Sequence, residues 1–156
     1  MPKEIERKYL VKHEQLIPLL KNGQTIKQAY IPTENGITVR IRIKADKAFL
    51  TLKGKSTGIS RDEFEYAIPV DEAETMFNNF CGEEKISKTR YNIEHGGLTW
   101  EVDVFEEHNK GLIVAEVELK SEDQEFDLPS WIESEVSDDD RYFNINLLRS
   151  PFTTWE

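Results

Sequence analysis

The sequence predicts a mostly β fold of the α+β class: a closed, eight-stranded antiparallel barrel with a few flanking helices and a C-terminal helix. Three observations lead there. Apolar and polar residues alternate with period two in eight short segments. Turn signals, Asn35-Gly36, Ala45-Asp46-Lys47 and His95-Gly96-Gly97, separate several of them. The polar faces are almost wholly ionic and sorted by sign, which an ordinary solvated face does not require.

In chain order, residues 3–11 set Ile5, Tyr9 and Val11 against Glu4, Glu6 and Lys8. A weaker segment, 25–31, has Gln28 and Tyr30 on one side. Residues 37–44 oppose Ile37, Val39, Ile41 and Ile43 to Thr38, Arg40, Arg42 and Lys44. Residues 48–55 oppose Leu50 and Leu52 to Thr51, Lys53 and Lys55, and 61–68 oppose Phe64, Tyr66 and Ile68 to Arg61, Glu63 and Glu65. Residues 86–94 carry Lys88, Arg90 and Asn92 on one face and Thr89, Tyr91 and Ile93 on the other. Residues 98–105 oppose Trp100, Val102 and Val104 to Glu101 and Asp103. Residues 112–120 oppose Ile113, Ala115, Val117 and Leu119 to Glu116, Glu118 and Lys120. Helical spacing is confined to three places. Residues 13–21 are short because of Pro18; 71–81 have Asp71 as the expected cap and Met76, Phe77 and Phe80 as the apolar face; 140–149 form a last helix.

With 156 residues the chain is expected to be a single domain, 1–156. Thirty acids against 20 bases give a net charge of -10, which disfavours nucleic acid or an anionic membrane as a partner. No run approaches the ~20 apolar residues of a membrane span. A single cysteine, Cys81, offers neither an internal disulfide nor a zinc cluster of the CxxC type, and Met1-Pro2-Lys3-Glu4-Ile5-Glu6 is charged where a secretory leader is apolar. A cytoplasmic protein is expected, as a monomer or homodimer. The three histidines fall in helix or turn readings, and no P-loop is present.

Eight strands can close into a barrel. With apolar faces outward under helices, the ionic faces line the interior. Burying so many charges is costly unless opposite signs pair or a ligand supplies the balance. Arg and Lys grip phosphate oxygens, whereas carboxylates suit hard divalent cations such as Mg²⁺ or Mn²⁺. The pattern therefore points to a polyphosphate and a metal bound together in a local basic pocket.

The sequence EIERK at 4–8 resembles the ExExK signature of the CYTH superfamily, the triphosphate tunnel metalloenzymes. The resemblance continues through Gln28-Ala29-Tyr30, VRIR at 39–42, TLKGK at 51–55, EFEY at 63–66, SKTRY at 87–91, EVDVF at 101–105, AEVEL at 115–119 and DDDRYFNINL at 138–147. It spans nearly the whole chain in the family's order and implies an eight-stranded barrel around a triphosphate tunnel. It further implies that Glu4, Glu6 and Glu118 bind Mg²⁺ or Mn²⁺, with Glu116 orienting water or helping a second metal. Lys8, Arg40, Arg42, Lys53, Lys88 and Arg90 would grip the triphosphate, and Arg141 would add a contact at the tunnel mouth. Glu63, Glu65 and Asp103 would hold those bases in place. Lys44, Lys55 and Lys120 stay outside this set as rim charges. The implied reaction is hydrolysis of inorganic triphosphate to pyrophosphate and phosphate. Alternatives are a class IV adenylate cyclase, a thiamine triphosphatase with Trp131 or Phe143 as platform, and a non-catalytic polyphosphate-binding module.

Overall fold

A computed structural model describes residues 3–82 and 85–155. Nine strands form it: β1 (Lys3–Val11), β2 (Gln24–Ile31), β3 (Thr38–Lys44), β4 (Lys47–Lys53), β5 (Ser60–Ile68), β6 (Ile86–His95), β7 (Leu98–Phe105), β8 (Ile113–Glu118) and β9 (Ile132–Glu135). The sheet order is β5-β4-β3-β2-β6-β7-β8-β1, and a β5–β1 pairing closes the ring. Every pairing is antiparallel. The eight expected strands are therefore the eight staves of the barrel. Turn chemistry sets the tight corners: Gly96 and Gly97, at φ +60° and +80°, let His95 pair directly with Leu98.

The ring is closed by a divided strand. One edge of β1 pairs with β8 over Glu6–Leu10, while its other edge pairs with β5 only over Lys3–Ile5. Beyond that short seam, β9 takes over against Tyr9 and Val11. Strand β9 is absent from the sequence expectation. Its four residues, Ile-Glu-Ser-Glu, are too few to set up a period, and Ile132 alone is buried.

Two apolar jackets cover the outside. On β1, β7 and β8, Tyr9, Trp100, Val102, Ala115 and Val117 pack with Leu16 and Trp131. Trp100 is fully buried, with ring centroids of Tyr9 and Trp131 at 5.6 and 5.8 Å. On β2, β3 and β4, Ala29, Ile41 and Ala48 lie under Ala73 and Phe77 of helix α2 (Val70–Asn79). That helix starts earlier than the sequence suggests. Pro69, extended at φ -61° and ψ 140°, occupies the capping position, so Asp71 sits within the first turn, where its charge favours the helix dipole. The first helix, α1 (His13–Leu16), is four residues long and runs into a 3-10 turn at Ile17–Leu19 that accommodates Pro18.

A third apolar cluster lies inside. Inward positions change character along the barrel axis: β1 reads Glu4, Glu6, Lys8, Leu10; β6 reads Arg90, Lys88, Ile86; β7 reads Glu101, Asp103, Phe105. Ile86, Phe105 and Val114 meet Tyr142 and Leu147 there, with Leu10 packed alongside. The C-terminal segment thus floors one end. Rather than one helix over 140–149, it is a 3-10 turn, Asp140–Tyr142, an extended Phe143, then α3 (Asn144–Arg149).

Candidate active site

Above that floor, the inward ionic positions surround a cavity of about 630 Å³. Alternation puts every second residue of each strand on this wall, and strand pairing sets them side by side. Lys8, Arg40, Arg42, Lys53, Lys88 and Arg90 all line the cavity, as do Glu4, Glu6, Glu63, Glu65, Glu116 and Glu118. Asp103 stands directly behind the lining, fully buried.

Most of the bases are anchored by acids on neighbouring strands. Asp103 receives Arg90 through Nε at 2.7 Å and Nη2 at 2.9 Å, and pairs with Lys88 Nζ at 2.7 Å. Burial alone would raise the Asp103 carboxyl; Arg90 and Lys88 outweigh it and hold it well below the usual range. Burial pushes Lys88 down to about 7 even with Asp103 beside it. Burial, then Arg40 and Arg90, lower Arg42 to about 10. Arg90 also meets Glu101 at 3.0 Å, Lys53 meets Glu63 at 3.3 Å, and Arg40 meets Glu65 at 3.5 Å. Glu63 and Glu65 thus contact the bases expected of them.

The carboxylates of β1 and β8 divide into two kinds. Glu4 is already paired: Lys53 Nζ lies at 3.0 Å and Arg61 Nε at 2.9 Å. Burial would raise its carboxyl, but those two cations keep it well below the usual range. Glu116 faces Lys8 Nζ at 3.8 Å and is likewise lowered, burial being outweighed chiefly by Lys8. Glu6 and Glu118, opposite each other in the β1–β8 register, form no ion pair among the described residues. Burial, then Glu116 and Glu4, push Glu6 well above the ordinary carboxylate range. Burial, then Glu63, Glu4 and Glu101, raise Glu118. Their oxygens and their excess negative charge fit a hard divalent cation. Among the described residues, no three acids, histidines or cysteines gather at ligating spacing. A cation held by Glu6 and Glu118 would therefore leave positions for phosphate oxygens and water.

Arg141 does not join this group. Its guanidinium is 60% exposed, pairs with Asp139 at 2.6 Å and stacks on the Trp155 ring at 4.9 Å. Asp139 accepts from both the backbone and the side chain of Arg141, and Arg141 is not among the residues that line the cavity.

Arg61, Gln28 and Asn144 are brought to the site without a role in the sequence reading, and Phe143, named there only as a platform for a thiamine substrate, joins them. Arg61 holds Glu4; strand alternation already placed it on the ionic face of β5, beside Glu63 and Glu65. Gln28 is fully buried and accepts from Arg42 Nε at 3.0 Å. Asn144 accepts from Lys88 Nζ at 2.9 Å, and Phe143 lies 5.1 Å from Lys8 Nζ. Gln28 had a visible signal in its position on the 25–31 segment. Asn144 and Phe143 had none in periodicity, because they arrive from outside the barrel.

Comparisons with known proteins agree with this geometry. The family described as the CYTH domain matches residues 2–145. An inorganic triphosphatase from Acetivibrio thermocellus is 44% identical over 156 residues, covering 100% of this chain and 99% of the relative. One from Nitrosomonas europaea is 37% identical over 155 residues, covering 94% and 97%. A crystal structure of an inorganic triphosphatase superposes with a TM-score of 0.65 at 33% identity, over 96% of this chain and 97% of that one. An ionic barrel interior, a motif series running the length of the chain and relatives matched end to end all agree: the chain belongs to the CYTH domain family.

Proposed function

We propose that this protein hydrolyses inorganic triphosphate to pyrophosphate and phosphate inside the barrel. The observation that carries the reading is the pairing, within one cavity, of an anchored basic wall with two glutamates that lack a counter-cation. The full-length similarity to inorganic triphosphatases supports the same substrate.

In this reading Lys8, Arg40, Arg42, Lys53, Lys88 and Arg90 bind the phosphate oxygens. Glu63, Glu65 and Asp103 keep those side chains in position before substrate arrives, so little reorganisation accompanies reaction. Glu6 and Glu118 would hold Mg²⁺ or Mn²⁺, with Glu4 joining only by loosening its hold on Lys53 or Arg61. The cation would supply charge neutralisation on the phosphate chain. Glu116 accepts a hydrogen bond from the attacking water and orients its oxygen toward the terminal phosphorus. A new P–O bond forms there while the bond to the diphosphate leaving group breaks, and the proton that the water loses passes to a phosphate oxygen of the products. The basic wall carries the charge that moves onto that group.

The net charge of -10 and the enclosure of the bases favour a small-molecule substrate over nucleic acid. Among the described residues, no helix is long and apolar enough to cross a membrane. We infer one domain over 1–156, acting in the cytoplasm as a monomer or homodimer; light scattering on the purified protein distinguishes the two states. The activity is tested by phosphate release from inorganic triphosphate, ATP and thiamine triphosphate side by side, with Mg²⁺ and with Mn²⁺. Inorganic triphosphate should give the highest kcat/KM, with no turnover when metal is chelated. Preference for ATP, or cyclic AMP as the main product, would replace the reading with the cyclase one.

A further inference from the structure

Two bases of the cavity wall are steadied by side-chain amides. Arg42 Nε donates to Gln28 Oε1 at 3.0 Å, and Arg42 forms no ion pair among the described residues. Lys88 Nζ donates to Asn144 Oδ1 at 2.9 Å. Its one acidic partner, Asp103, is shared with Arg90, which takes both carboxylate oxygens. The two amides also meet: Gln28 Nε2 donates to Asn144 Oδ1 at 3.2 Å and to Tyr30 Oη at 2.8 Å. Gln28 and Lys88 are 0% and 1% exposed. Neither a guanidinium nor an ammonium can accept a hydrogen bond, so both amide oxygens must face the cations.

We infer that Gln28 and Asn144 are positioning residues for triphosphate: they fix Arg42 and Lys88 through neutral oxygens, so the bases point into the cavity with their charge left for the substrate. This rests on the triphosphatase reading. A carboxylate at either position would fix the geometry equally well, but it would also compensate the charge. The cost of leaving Arg42 without a counter-charge, and Lys88 with only the carboxylate it shares with Arg90, is visible in the ligand-free protein, where burial lowers both. An incoming polyanion removes that cost and binds more tightly for it. Asn144 carries a second consequence. As the first residue of α3, it ties the C-terminal floor of the barrel to one base on β6 and, through Gln28, to another on β3.

Asn144→Asp separates charge from shape. The experiment measures the unfolding midpoint without ligand, tripolyphosphate binding by calorimetry in EDTA, and kcat and KM with Mg²⁺. The inference expects the two thermodynamic readouts to move in opposite directions. The ligand-free midpoint rises, because Lys88 gains a second counter-charge. Tripolyphosphate binding weakens by about tenfold or more, one pKa unit's worth of charge interaction, with the loss in KM rather than kcat. Asn144→Ala, which frees Lys88 without neutralising it, should lower kcat/KM without raising the midpoint. Binding by Asn144→Asp within about twofold of wild type, or a midpoint that falls along with binding, would reduce the amide to ordinary packing and overturn the inference. If wild type neither binds nor hydrolyses tripolyphosphate, the triphosphatase reading fails on its own account. The ligand-free midpoints then still decide the charge argument: a rise in Asn144→Asp upholds it, and no rise overturns it.

Discussion

The two walls of the cavity hold their charges in opposite conditions. On the β3 and β6 side, Arg40, Arg42, Lys88 and Arg90 each have an oxygen partner behind them, and the cluster is fixed before any ligand arrives. On the β1 and β8 side, Glu4 and Glu116 are paired, but Glu6 and Glu118, opposite each other in register, form no ion pair among the described residues, and burial and neighbouring acids outweigh the pull of Lys8 and Lys53. The basic wall is preorganised by acids and amides that the fold supplies. The acidic pair is a deficit that the fold leaves open, and a cation from solution is the natural complement. Preorganisation and deficit are both electrostatic, yet they give mutations of opposite sign.

The largest expected difference lies within the acidic wall. Glu6→Gln should reduce metal-dependent turnover by about a hundredfold or more. It should also raise the unfolding midpoint of the ligand-free protein, because it removes a carboxylate disfavoured by burial and then by Glu116 and Glu4. Glu4→Gln should do the reverse to stability. It strips Lys53 and Arg61 of their shared partner and costs about 3 kcal/mol, the scale of a broken buried pair. Denaturant titration of both variants, with phosphate release over a Mg²⁺ series, checks the contrast; equal stability shifts of one sign would erase it.

Breaking the basic wall from behind comes next. Asp103→Asn leaves Arg90 and Lys88 without their buried counter-charge and should cost about 3–5 kcal/mol. Asp103 has a folded-state value below its ordinary 3.8, so its contribution is present above that pH and is lost only in stronger acid. The Arg90 part of the gap should therefore hold from pH 8 down to about 4 and close below, while the Lys88 part widens the gap as pH falls through about 7, because Lys88 without Asp103 is lowered further. A gap that closes near neutrality would place the relevant proton elsewhere.

A smaller, sharper signal is a proton. Lys88 is lowered to about 7 from 10.5, so charging it opposes folding; that penalty is complete below about 7 and fades as pH rises toward 10.5. A triphosphate beside Lys88 reverses the shift and draws a proton in. At pH 8, wild type should take up more protons on binding tripolyphosphate than Lys88→Met does. Calorimetry in two buffers of different ionisation enthalpy measures this, and identical uptake by the two proteins would contradict the charge state assigned to the wall.

The smallest effect belongs to a residue outside both walls. Arg141→Ala should leave kcat/KM for inorganic triphosphate within about twofold, because its exposed guanidinium is engaged by Asp139 and Trp155 rather than by the cavity. A tenfold loss would return Arg141 to the mouth of the site.

The sequence alone determined the barrel. Period two is a local property, so alternation in eight segments assigned each strand and both of its faces, and charge sorting marked the ionic face as the inner one. That reasoning put Lys8, Arg40, Arg42, Lys53, Lys88, Arg90 and their acidic companions on inner faces without knowledge of any pairing, with Arg61 unnoticed beside them; the family resemblance then singled out the six bases from other charges on those faces. What it could not decide depends on distance across the fold. Glu4 and Glu6 are two residues apart on one strand face and look equivalent; only the approach of Lys53 and Arg61 from β4 and β5 makes one a paired anion and the other a strained acid. Arg141, which the family resemblance places at the tunnel mouth, is exposed and engaged by its neighbour Asp139. Asn144 reads as a helix residue and becomes an anchor inside the barrel, because the floor that carries α3 inward is built from Ile86, Phe105, Val114, Tyr142 and Leu147. Faces are set by backbone geometry, residue by residue. Partners are set by which strands and which distant segment the folded chain brings together, and in a low-dielectric interior those partners fix the charge state of each group.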